Sequence, residues 1–192
     1  WCQLFSEPSA GSDVAGLRSK AIKKGDKWVV NGQKVWTSGA HFSDFGILVV
    51  RHDPELEKHK GLTFFFVDMK SPGIEVKPIK QITGGSSFNE VYFTDVEIPD
   101  SQRLGEIGDG WKVAITTLMN ERLAVGDADG ADVEDAFKWA KNQDNLGEPL
   151  LNNRAARESI ADWYCEASGL KNTKLRTMSA LSKETHLVLR LR

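Results

Sequence analysis

Two short stretches hold the residues best suited to chemistry: Leu4-Phe5-Ser6-Glu7-Pro8-Ser9-Ala10-Gly11-Ser12-Asp13 and, further along, Asn31-Gly32-Gln33-Lys34-Val35-Trp36-Thr37-Ser38-Gly39. Each sets hydroxyls, small side chains and backbone amides beside an aromatic plane, which is what a flat, polar-edged cofactor asks of a protein. Ser9, Ala10 and Gly11 let main chain approach a ligand closely, and the Ser6 and Ser12 hydroxyls can each donate and accept. Taken alone, the first stretch also reads as an ordinary polar turn, and Trp36 as a residue that fills core.

A third cluster falls on a predicted helix. Trp111, Ile115, Leu118 and Val125 form an apolar stripe at helical period, with Arg122 in its middle and Glu121 at its edge beside Ala114. A guanidinium on such a face requires an anion, either an internal carboxylate or a bound ligand. A carboxylate held against a substrate and desolvated there would be a stronger base than one facing water.

The elements that must position these groups change character halfway along. Up to about residue 100, short β-branched and aromatic runs alternate with turn chemistry: Trp28-Val29-Val30, Ile47-Leu48-Val49-Val50, Leu62 to Val67, Ile74-Glu75-Val76 and Val91-Tyr92-Phe93. Lys24-Gly25-Asp26 and Asn31-Gly32 read as hairpin turns, Ser71-Pro72-Gly73 as another turn, and Asp53 to Lys60 as a charged surface loop. This spacing predicts an antiparallel β-barrel or sandwich. After Ile98-Pro99-Asp100 and the Gly-rich stretch from Leu104 to Gly110, helical spacing takes over. Helices are expected over Trp111 to about Asp127, Asp132 to about Asn142 and Asn152 to about Ser182, the last interrupted near Gly169. The fold class is therefore α+β and multi-domain: a β-domain over residues 1–104, then part of an up-down helical bundle over residues 108–192.

Composition limits the partners. The chain has 192 residues, 40% of them hydrophobic, and a net charge of -2. Charges of both signs are interspersed with no basic block, which argues against nucleic acid. No apolar run is long enough to span a membrane and no signal peptide is visible. Cys2 and Cys165 lie far apart without metal or redox spacing, which favours a reducing compartment, taken as the cytoplasm. The opening at Trp1, inside an apparent strand, reads as that of a fragment.

The two opening stretches resemble the flavin-binding segments of the acyl-CoA dehydrogenase family. The resemblance extends to about residue 182 through Asn89-Glu90-Val91-Tyr92-Phe93, Val96-Glu97-Ile98-Pro99, Gly108-Asp109-Gly110-Trp111 and Asn120-Glu121-Arg122-Leu123-Ala124, in order and spacing. It implies FAD as cofactor and an acyl-CoA as substrate. Trp36 would lie against the isoalloxazine, and Ser6, Ser38 and main-chain groups at Gln3, Leu4, Phe5 and Thr37 would bond its edge. Ser12 would reach towards the flavin and the pantetheine, Arg122 would lie near the acyl-CoA, and Glu121 would be the catalytic base, as in some subfamilies. In most of the family the base instead comes from a glutamate near the end of the helical domain. The family further implies electron transfer to an electron-transfer flavoprotein and assembly as a homo-oligomer. The alternatives are an acyl-CoA oxidase or nitroalkane-oxidising relative that uses oxygen, and a non-catalytic scaffold that binds acyl-CoA or a partner subunit. The isolated fragment is expected to be inactive.

Three features depart from the family pattern. Ser9 replaces a glycine, which is acceptable where no positive φ is needed. The Arg-x-x-Phe-Gly segment that reaches a neighbouring subunit's flavin has no equivalent around Asn142 to Gly147. The tail from Glu184 to Arg192 lacks the expected Gly- and Pro-containing turn, so His186 is no catalytic candidate, while His41 reads as structural or as a ligand neighbour.

Overall fold

The computed structural model describes residues 1–124, 132–145 and 148–182. Eight strands form one sheet: β1 (Cys2–Leu4), β2 (Lys20–Lys24), β3 (Lys27–Ser38), β4 (Phe45–Arg51), β5 (Leu62–Asp68), β6 (Ile74–Ile79), β7 (Phe88–Pro99) and β8 (Arg103–Leu104). Their order is β6-β7-β3-β2-β4-β5-β8, with β1 added on β4. Every apolar run noted in the sequence lies inside one of these strands.

The sheet is mixed. β1 runs parallel to β4, pairing Cys2 with Gly46 through Leu4 with Leu48, and Lys20 of β2 makes a single parallel bridge to Arg51. All other pairings within it are antiparallel. β2 and β3 form the expected hairpin around Gly25-Asp26, with Lys24 opposite Lys27. Asn31-Gly32 does not turn the chain, contrary to the hairpin expectation. It lies within β3, where the register against β7 slips between Val30 and Gly32. The feature is a β-bulge, which keeps the strand continuous while twisting it.

Two apolar cores follow from the alternation of side chains along the strands. The first gathers Leu4, Trp28, Val30, Leu48, Val50, Phe65, Val67, Val91, Phe93, Val96 and Ile98. The second takes the opposite faces of β4 and β5 (Val49, Leu62 and Phe64) together with Phe5, Ala10, Ala15 and Leu17. Because β4 and β5 are covered on both sides, their sequences are continuously apolar rather than alternating.

Helix α1 (Gly110–Ala124) begins on this second core. Gly110 is required there by space, since a Cβ would lie 2.5 Å from the backbone of Leu62 and Thr63. Ala114 is buried and Trp111, Val113 and Leu118 pack partly against the core, whereas Ile115 is 38% exposed. The packed face is thus set by Trp111, Ala114 and Leu118. Ile115, expected in the stripe, is rotated off it, and Val125 lies outside the described residues.

The chain divides into two compact units, Trp1–Leu118 and Met119–Arg192. The second contains the end of α1, α2 (Val133–Lys141) and α3 (Arg154–Ser182). α2 is opened by a reciprocal cap: Asp132 Oδ1 accepts from Asp135 N–H at 2.9 Å, and Asp135 Oδ2 from Asp132 N–H at 3.4 Å. α3 runs unbroken through Gly169, so the expected interruption is absent. A lone helical glycine costs only about 1 kcal/mol relative to alanine, too little to end a helix of this length. The tail from Glu184, including His186, lies outside the described residues.

Candidate functional site

Folding brings the two opening stretches into direct contact. Val35 N–H donates to Ser6 O at 2.9 Å, and the Lys34 ammonium donates to Phe5 O at 3.1 Å and Glu7 Oε1 at 2.8 Å. Glu7 and Ala10 exchange backbone hydrogen bonds at 2.9 and 3.0 Å, closing a tight turn with Pro8 and Ser9 exposed at its corner. Ser9 does not take a positive φ, which explains why a glycine is dispensable there. Gly11 has no chain atom within 4 Å of where a Cβ would stand, and its φ lies outside the glycine-favouring region. Neither packing nor backbone conformation demands glycine at that position. Its bare backbone faces open space that a ligand can enter.

The other half of the site is a second bulge in β3. The register against β7 slips between Lys34 and Thr37, and Trp36 within it has a φ of +61°. A left-handed conformation costs a non-glycine residue about 1–2 kcal/mol, so the surrounding bonds must impose it. The result is an indole 60% exposed, supported at its edge by Phe88 at a centroid distance of 6.1 Å. Ser38 is exposed as well, whereas Thr37 between them is buried. The Thr37 hydroxyl has no hydrogen-bond partner and is sealed from the surface. Only the main chain of Thr37 can therefore serve a ligand. Its carbonyl accepts from buried Asn89 Nδ2 at 2.9 Å, and Asn89 Oδ1 also meets His41 Nδ1 at 3.1 Å. A cleft of about 520 Å³ opens beside this strand end, lined by Ser38, Gly39, His41, Phe42, Ser86 and Ser87.

The remaining candidates of the first segment sort by burial. Gln3 and Ser12 are exposed and Ser6 is half-buried, so their side chains are accessible. Leu4 and Phe5 are spent in the two cores, with Phe5 edge-on to Phe64 at 5.6 Å, which leaves them only main-chain groups to offer. Ser12 precedes Asp13, which pairs with Lys58 across the loop. Glu121 is exposed on α1 in the second unit, and the side chain of Arg122 on the same helix lies outside the described residues.

Sequence reasoning gave no role to the buried pair Glu7–Lys34 or to Asn89. Burial alone would raise the Glu7 carboxyl, but the Lys34 charge and bonds from Lys34, Arg18 N–H and Ser19 outweigh it and hold the group low. Burial pushes the Lys34 ammonium down to about 8 against the opposing pull of Glu7. The sequence carries only a faint hint, a lysine set directly beside Val35 in a strand.

A flat heteroaromatic cofactor fits this donor set: an exposed indole plane, hydroxyls at Ser6, Ser12 and Ser38, and an open approach over Gly11. Among the described residues no group of His, Cys, Asp or Glu is arranged to hold a metal ion, and no helix is long and apolar enough to cross a membrane.

Fold and site together define a mixed β-domain with an exposed indole set in a strand bulge, followed along the chain by helices. Comparison with known proteins narrows this class. Residues 2–96 match the acyl-CoA dehydrogenase middle domain, and residues 108–190 the acyl-CoA dehydrogenase C-terminal domain. Acyl-CoA dehydrogenase FadE34 of Mycobacterium tuberculosis is 49% identical over 160 residues, covering 79% of this chain and 22% of that protein. Acyl-CoA dehydrogenase IpdE1 of the same organism is 39% identical over 161 residues, covering 82% of this chain and 42% of that protein. Among solved structures, a Tcur3481-Tcur3483 steroid ACAD variant superposes with a TM-score of 0.82 at 28% identity, covering 95% of this chain and 47% of that one. The chain belongs to the acyl-CoA dehydrogenase family, whose members are flavoproteins, and spans less than half the length of each of these relatives.

Proposed function

We propose that the protein bearing this chain catalyses FAD-dependent α,β-desaturation of an acyl-CoA thioester, the chemistry that opens β-oxidation. The observation that carries this reading is Trp36, an exposed aromatic plane held in a strained bulge and bonded through Val35 to the Ser6 segment. Residues 1–104 then bind the cofactor and acyl-CoA, and residues 108–192 contribute to the helical domain. Trp36 packs on the isoalloxazine. Ser6, Ser38 and main-chain groups at Gln3, Leu4, Phe5 and Thr37 hydrogen-bond its edge. Ser12 bridges flavin and pantetheine, and Arg122 lies near the acyl-CoA.

Desaturation requires a base for the weakly acidic α-proton. Glu121, an exposed carboxylate on α1, takes that proton at one of its oxygens. When bound, FAD supplies a two-electron acceptor for the hydride that leaves the β-carbon. An electron-transfer flavoprotein would serve as the electron-accepting partner and the protein would work as a homo-oligomer, both as the family implies. Cys2 and Cys165 are free thiols, which suits a reducing compartment such as the cytoplasm.

The test is the visible absorption spectrum of the purified protein, before and after anaerobic addition of a panel of acyl-CoAs, steroid-bearing ones included. A flavin band that one of them bleaches supports the proposal, and oxygen uptake during turnover separates an oxidase from a dehydrogenase. A protein without flavin overturns it.

A further inference from the structure

Lys34 is a fully buried lysine, at 0% exposure, on a strand whose neighbours Val30 and Val35 are buried apolar residues. Its ammonium reaches Phe5 O and Glu7 Oε1. Glu7 accepts in addition from Arg18 N–H at 2.6 Å through Oε2 and from Ser19 N–H at 3.0 Å through Oε1. Three segments, residues 5–7, 18–19 and 34, therefore meet at one buried ion pair. The loop from Glu7 to Ser19, which contains Ser9, Gly11 and Ser12, is closed at its base by the same carboxylate.

Stability alone does not account for charges at this place. The cost of desolvating a buried pair commonly cancels its Coulombic gain, and apolar residues of equal volume do as well or better. What charges add is direction: the ammonium must point at its acceptors and the carboxylate at its donors. The direction fixed here matters because Lys34 lies two residues before Trp36, whose left-handed backbone must be imposed from outside. On the other flank, buried Asn89 holds the Thr37 carbonyl. Trp36 thus sits between two buried polar anchors, one of which also holds the loop opposite.

We propose that Glu7 and Lys34 are positioning residues for the cofactor: their buried bond clasps the base of the Glu7–Ser19 loop to β3, so that the Trp36 plane and the loop's hydroxyls face one ligand in fixed register. Both side chains are sealed and act only through the groups they hold. This assignment rests on the flavin reading above.

The test uses the whole protein with Glu7→Gln and Lys34→Met combined, which removes both charges at near-constant volume. FAD affinity after deflavination, the shape of the bound flavin's visible band and the thermal midpoint are measured together. The expected result is a cooperative melt with FAD bound about tenfold more weakly and an altered flavin band, as follows when a supporting shell is lost. Loss of fold stability alone would lower the midpoint without moving affinity or band at a temperature well below it. A cooperatively melting double variant with wild-type affinity and band would overturn the proposal. Glu7→Gln by itself keeps the side-chain size and one acceptor oxygen, and serves if the double variant does not fold. It is expected to weaken FAD binding in the same direction, and wild-type binding there would equally overturn the clasp. A wild-type protein that holds no flavin refutes the flavin reading instead, an outcome distinct from any difference between variants.

Discussion

Gly32→Ala tests whether the bulge in β3 is a constraint or an accident. Gly32 has a φ of +153°, and a Cβ there would stand 2.7 Å from the Ser19 Cα, with the Ser19 Cβ and Oγ also in the way. A side chain can rotate away, but a backbone atom cannot. The conformation alone costs a non-glycine residue about 1–3 kcal/mol. Ser19 must also move, and its N–H is a donor to the buried Glu7 carboxylate, a charge-assisted bond worth about 1.5–3 kcal/mol. With partial relaxation the sum is about 3–5 kcal/mol, which at about 2–4 °C per kcal/mol lowers Tm by roughly 6–20 °C. Thermal unfolding followed by circular dichroism gives the number. Gly25→Ala is the control, because Gly25 also has a positive φ, +64°, yet nothing lies within 4 Å of its Cβ position. It should lose only the backbone cost of about 1–2 kcal/mol. If Gly32→Ala melts no lower than Gly25→Ala, the bulge tolerates a side chain and the reasoning about Ser19 is wrong.

Three further outcomes are expected. Trp36→Gly should melt within a few degrees of the parent, because glycine relieves about 1–2 kcal/mol of backbone cost, while FAD affinity falls about tenfold with the stacking plane gone. Unchanged FAD affinity removes Trp36 from the cofactor site. Glu121→Gln should slow exchange of the substrate α-proton by about 10²–10⁴-fold while FAD and acyl-CoA still bind, and an unaltered exchange rate strikes Glu121 from the mechanism. Asp100 gives a pH signature: hydrogen bonds from Arg103 and then Trp28 hold its carboxyl down to about 2, against an ordinary 3.8. The folded state takes up that proton less readily than the unfolded chain, so the contribution is complete above pH 3.8 and drains away as pH falls towards 2. Asp100→Asn should lack that segment of the acid-unfolding curve, and parallel curves for variant and parent would contradict it.

The sequence by itself determined the local elements and the chemical types at the site. Runs such as Leu62 to Val67 became strands because β-branched and aromatic side chains suit a pleated, buried surface, and Gly25-Asp26 became a hairpin because two residues able to turn tightly sat between such runs. Trp36, Ser6, Ser38 and Ser12 stand out as a candidate ligand edge through residue type together with the resemblance to the family's flavin-binding segments. Tertiary structure decided the rest. Asn31-Gly32 has the composition of a turn, yet Ser19 on β2's approach and the long pairing of β3 with β7 make it a bulge in a continuous strand. The parallel placement of β1 on β4 uses the stretch Gly46–Leu48, which β2, bridged to β4 only at Arg51, leaves open, and no local pattern in Cys2–Leu4 encodes it. No local pattern marks Lys34 as buried, because its partner Glu7 lies 27 residues away in the chain. Local preferences are written in a few neighbouring residues, whereas bulges, strand neighbours and buried ion pairs arise when distant segments compete for the same space and the same hydrogen bonds.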